Sequence, residues 1–86
     1  MDKLTWWKVH STKRAHERYR ISLSEEVRSE IIQNISRGEY EQKKRQGRRR
    51  IVYVLDYRGK FIKLVLNTRW KAIITFLELH KPPLPI

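Results

Sequence analysis

The sequence predicts an α+β domain: two N-terminal helices packed on a three- to four-stranded antiparallel meander sheet. Three observations predict it. Val27, Ile31 and Ile35 recur every four residues behind a Ser-Glu-Glu start. RIVYVLDY, KFIKLVLN and WKAIITFLE are rich in β-formers and are divided by short breaks. The helical periodicity precedes the β-rich runs, giving the order (β)-α-α-β-β-β.

The opening KLTWWKVH mixes the β-formers Thr5, Trp6, Trp7 and Val9 with Lys3 and Lys8, and reads as a short edge strand or an extended arm. Its tryptophan pair either packs across the rim of the core or offers a stacking surface. Ser11 or Thr12 caps a short helix running to about Tyr19 or Arg20, with Ala15 and Tyr19 turned inward and Arg14 and Arg18 on another face. In the second helix Ser24 is the cap, Glu25 and Glu26 meet the positive end of the macrodipole, Ile32 widens the apolar stripe and Gly38 stops the helix. EYEQKKRQGRRR has no apolar period and reads as an exposed loop. The strands then turn at Arg58-Gly59 and break again at Thr68-Arg69. HKPPLPI cannot continue a strand. The expected organisation is one domain over residues 1–81 and an extended Pro-rich tail over 82–86.

Charge is the strongest bulk signal. A net charge of +11 over 86 residues attracts polyanions, of which nucleic acid is the commonest. An acidic protein or an anionic membrane surface would answer to the same field. The absence of cysteine excludes disulfides, thiolate zinc and thiol nucleophiles. No apolar run resembles a signal peptide or a spanning helix, so the expectation is a soluble cytoplasmic protein without a membrane role. His10, His16 and His80 are scattered, and three glycines leave little room for a phosphate-cradling loop, so neither a metal nor another cofactor is expected.

Two surfaces carry candidate chemistry. Lys13, Arg14, His16 and Arg18 supply the residue types that RNA cleavage through its own 2′-hydroxyl needs: a proton acceptor, a proton donor and cations around the phosphorane, with Tyr19 as a further donor. A basic helix face that holds phosphate without chemistry has the same composition. Lys43, Lys44, Arg45, Arg48, Arg49 and Arg50 form a run suited to gripping a phosphate backbone, or simply to solvation. Arg69 and Trp70 stand at a strand break, where the indole either stacks a base or joins the core.

TKRAHER at 12–18, RRRIVYVLDYRGKFIKLVLN at 48–67, NTRW at 67–70 and AIITFLE at 72–78 resemble the small colicin D/RelE-like ribonuclease toxins, the barnase–EndoU–colicin–RelE group, which are phage- or mobile-element-associated. The resemblance implies a metal-independent endoribonuclease that leaves 2′,3′-cyclic phosphates, with tRNA or ribosome-associated RNA as target and an acidic inhibitor as a possible partner. Where that group has its catalytic His this chain has Arg14, and His16 lies two residues further, about 200° round a regular helix. Two rival readings therefore stand beside the nuclease: a non-catalytic nucleic-acid-binding module, and a phage or mobile-element factor that docks on an acidic host protein.

Overall fold

A computed structural model describes residues 2–79; the Pro-rich segment expected at 82–86 lies outside them. Two helices, α1 (Lys3–Tyr19) and α2 (Glu25–Ser36), precede four strands, β1 (Gln42–Gly47), β2 (Arg50–Tyr57), β3 (Lys60–Asn67) and β4 (Ala72–Leu77). The strands pair in the order β1-β2-β3-β4, every pair antiparallel. This is the α+β meander that the sequence predicts.

Two elements differ from the expectation. Residues 3–9 are not a strand or an arm: α1 begins at Lys3 and absorbs both tryptophans. Asp2 is its cap, with Oδ1 accepting the Thr5 N–H at 2.8 Å. Trp7, Ser11, Ala15 and Tyr19 then form one buried stripe at four-residue spacing. Burial of that stripe outweighs the β-preference of Thr5, Trp6 and Val9, which is a weak prior once packing is available. The second difference is β1. Gln42–Gly47 pairs with β2 in the register Lys44↔Val52 and Arg45↔Ile51, although none of its side chains up to Gln46 is covered. Backbone pairing alone makes it a strand, and its charge suits an edge that must not recruit a further strand.

Local chemistry sets the remaining boundaries. Arg20 closes α1 in the left-handed region (φ 57°), and the Ile21 N–H reaches back to the Ala15 carbonyl at 3.2 Å. Ser24 Oγ accepts the Val27 N–H at 3.2 Å at the start of α2. The β2–β3 hairpin turns through Arg58 and Gly59, both with positive φ, as a two-residue primed turn requires. There Asp56 Oδ1 accepts the Gly59 N–H at 2.7 Å.

The main core lies between the helices and one face of the sheet. Ile51, Tyr53, Leu55 and Tyr57 of β2 alternate inward with Ile62, Leu64 and Leu66 of β3 and with Ile73 and Phe76 of β4, and meet Ala15, Tyr19, Ile31 and Ile35. A smaller cluster joins Trp7 to Val65 and Ile74, whose side chains alternate to the other face. The helices are tied together by Arg28, whose guanidinium donates to Ser11 Oγ (2.9 Å), Thr12 Oγ1 (2.9 Å) and the Lys8 carbonyl (3.2 Å). Burial pulls the pKa of that guanidinium below its ordinary value, and nearby Glu25 pushes it back. Lys8 also pairs with Glu25. Among the described residues, no helix is long and apolar enough to cross a membrane.

Candidate nucleic-acid interface

Arg50, Asn67 and Ala72 form the last paired row at one end of the sheet. Beyond it project the β1–β2 turn at Arg48-Arg49 and the β3–β4 connection from Thr68 to Lys71. A hydrogen bond from the Thr68 N–H to the Arg49 carbonyl, at 2.9 Å, locks the two together. Asn67 is buried and its Oδ1 accepts the Trp70 N–H at 2.9 Å, which holds the indole at the lip of the sheet. Trp70 is 45% exposed and leans on buried Trp7, their ring centroids 5.5 Å apart at 50°. Arg69 lies over the Trp70 ring and Lys3 over the Trp7 ring, each 5.9 Å from the centroid.

These residues enclose a concave groove of about 570 Å³. Among the described residues its charged lining is Lys3, Arg48, Arg49, Arg50 and Arg69, five cations and no carboxylate, around Trp7 and Trp70. Five like charges are tolerable there because the side chains of Arg48, Arg49, Arg50 and Arg69 are exposed and screened by water. An uncompensated cationic concavity with an open indole suits a ligand that brings both phosphates and aromatic rings.

The structure gathers Arg48, Arg49, Arg50, Arg69 and Trp70 into this one groove, although they arise from two separate stretches of sequence. Lys43 and Lys44 are exposed on β1. Arg45 works partly as a prop, its Nη1 donating to the Arg48 carbonyl (3.0 Å) and the Gly47 carbonyl (3.3 Å). Lys3 is a groove residue that sequence reasoning does not select, whereas Asn67 lies in the NTRW element as a candidate phosphate contact. For Trp7 the tryptophan pair was the available signal, and the two indoles divide the roles: Trp7 is buried while Trp6, 55% exposed, stacks on His10 at 5.5 Å.

Lys13, Arg14, His16 and Arg18 lie elsewhere, roughly 9–17 Å beyond Trp7 along the axis of α1. Their charges are largely answered. Arg14 pairs with Glu17 at 3.2 Å, Lys13 approaches the same carboxylate at 4.0 Å, and Arg18 pairs with Glu78 at 3.0 Å. Arg14 and Arg18 do line one concavity with Tyr19. The Tyr19 hydroxyl, however, donates to the Leu77 carbonyl and accepts the Lys63 N–H, and burial raises its pKa. It is a structural hydroxyl. His16 is exposed, and Arg14 is partly covered, as their separation round the helix requires. Among the described residues, no cluster of three His, Asp or Glu side chains is placed to hold a metal ion.

No known protein family, no curated protein and no solved structure matches the chain.

Proposed function

We propose that the protein binds RNA, gripping it with the groove at the sheet end. The observation that carries this reading is the collection of five cations around a half-exposed indole, with no carboxylate among the described residues of the lining. Phosphate neutralisation by Lys and Arg supplies affinity without sequence, and the indole adds a contact that a purely acidic protein cannot use. A cytoplasmic location belongs to the same proposal, since tRNA and ribosome-associated RNA are found there.

Metal-independent cleavage is the second reading, supported by the concavity that Arg14 and Arg18 share. Arg14 and Arg18 would hold phosphate charge there, with Lys13 or His16 moving protons. Ion pairs with Glu17 and Glu78 weigh against it, because a phosphate must displace or outbid a carboxylate to reach either guanidinium.

Incubating the purified protein with total tRNA and ribosomal RNA in excess EDTA, then measuring retention and mapping RNA ends, tests both readings. Salt-sensitive retention of intact RNA, weakened by Arg48→Gln/Arg49→Gln, supports binding through the groove. Discrete cuts with cyclic-phosphate ends, lost in Arg14→Ala or His16→Ala, would move the functional surface to α1. Absence of RNA retention at low salt would defeat the proposal.

A further inference from the structure

The groove does not stop at the sheet end. Gln46 lines it and also lines a shallow trough of about 220 Å³, where Lys44 and Lys63 stand beside Val52 and Leu77. Directly paired residues share a face, so the register assigns this trough to the side of the sheet turned away from the main core. Lys44 opposes Val52, and Val54 opposes Lys63, which opposes Leu77. The inward residues Ile51, Tyr53 and Leu64 alternate to the other side. From Asn67 at the groove to Lys63 along β3 is four residues, about 13 Å.

Charge and floor chemistry run together along this path. The four strands contain one carboxylate, Asp56, which sits on the row beyond Lys63 and is engaged by the Gly59 N–H at 2.7 Å. Val52 and Leu77 give the trough an apolar floor, while Lys44 and Lys63 supply cations beside it. Such a floor accepts base or sugar surface, and its flanks accept phosphate. The half-exposed ring of Trp70, once the Arg69 guanidinium swings aside to phosphate, takes only a base whose face is free, and in a duplex those faces are already stacked on neighbouring pairs.

We propose that the ligand of this surface is an unpaired RNA strand, with one base against Trp70 and the chain continuing past Gln46 into the trough between Lys44 and Lys63. This rests on the RNA-binding reading and adds what form of RNA is held and along which path.

The test is fluorescence anisotropy in EDTA with an end-labelled, unstructured RNA 12-mer and its blunt duplex. Unlabelled tetramer and poly-glutamate serve as competitors. Expected results are at least a five-fold preference for the single strand, about what one base stack supplies. Trp70→Ala should remove that preference and Trp70→Phe retain most of it. Lys44→Gln/Lys63→Gln should weaken the 12-mer and leave the tetramer unchanged. Equal or tighter binding of the duplex, or competition by poly-glutamate as effective as by RNA of the same charge, overturns the inference. So does an unchanged single-strand affinity in Trp70→Ala. In those cases weakening of both RNAs by Arg48→Gln/Arg49→Gln leaves phosphate binding at the groove standing, whereas failure of the wild type to bind either RNA removes the RNA-binding reading itself.

Discussion

Salt dependence turns the groove's composition into a number. If the five cations lining it each neutralise one phosphate of a short single strand confined to the groove, log K falls with log salt at a slope of about −3.5. Raising salt from about 50 to about 200 mM then weakens binding about 100-fold. In Arg48→Gln/Arg49→Gln/Arg69→Gln two contacts remain, the slope becomes about −1.4, and the same change of salt costs about 7-fold. The substitutions are chosen to spare the fold. Arg48 and Arg49 are exposed, and the hydrogen bonds at their turn use backbone carbonyls, which persist. Arg20→Asn is the control: it removes one positive charge from the C-terminal cap of α1, about 25 Å from Lys3 along the helix, at a left-handed position that Asn accepts. Anisotropy titrations at four salt concentrations give the slopes, and thermal melts check that the variants are folded. A triple variant that keeps the wild-type slope, or an Arg20→Asn slope reduced as much per charge, would mean that the net field of the protein attracts RNA and that the groove has no special part in it.

Other outcomes follow from the packing. Trp7→Ala removes a buried indole that clusters with Val65 and Ile74 and supports Trp70, and should lower stability by about 3–5 kcal/mol in denaturant titrations. Arg28→Ala leaves the fully buried Ser11 hydroxyl without its guanidinium partner and should cost about 1–3 kcal/mol. Adding Ser11→Ala should then cost less than it does in the wild type, because the bond the hydroxyl accepts from the guanidinium is already lost and only its own bond to the Lys8 carbonyl remains, and additive losses would refute the link. Hydrogen bonding to Thr5 lowers the pKa of Asp2, and a hydrogen bond from Lys8 lowers that of Glu25. Because both folded-state pKa values lie below the unfolded ones, their contribution is present above about pH 4 and is lost as pH falls through the folded values. Asp2→Asn, which keeps the cap and loses the titration, should flatten the acid limb of the melting temperature, and an unchanged limb would count against Asp2.

The legible parts of the fold are those where side-chain pattern and burial agree. Val27, Ile31 and Ile35 announce α2, and the run of β-formers from Ile51 to Leu55 announces a strand with apolar residues on both faces. β1 carries no such mark, because its side chains face solvent and its existence depends on the backbone of β2. In α1 two signals compete, and the β-branched and aromatic residues near the N-terminus obscure the four-residue stripe that begins at Trp7. The site was half legible. Arg48, Arg49, Arg50, Arg69 and Trp70 are conspicuous by type, but their meeting depends on a hairpin register and on one hydrogen bond between turns nineteen residues apart, Arg49 to Thr68. Lys3 and Trp7 enter only because α1 is helical from its third residue, which brings its first turn to the sheet end. Lys13, Arg14 and Arg18 illustrate the converse. Their types suggest chemistry; Glu17, three and four residues on, is legible as a helical partner, but Glu78, which answers Arg18, becomes evident only in three dimensions.

The three tryptophans offer the most direct test, since each gives one indole N–H signal in a proton–nitrogen correlation spectrum. Titration of the labelled protein with unstructured RNA 12-mer in EDTA should shift the Trp70 signal first. The Trp7 signal should follow through its 5.5 Å ring contact, and Trp6, stacked on His10 on the exposed side of α1, should stay in place. A still Trp70 beside shifting backbone signals at Lys13, Arg14, His16 and Arg18 would contradict the account and put the RNA on the other half of α1.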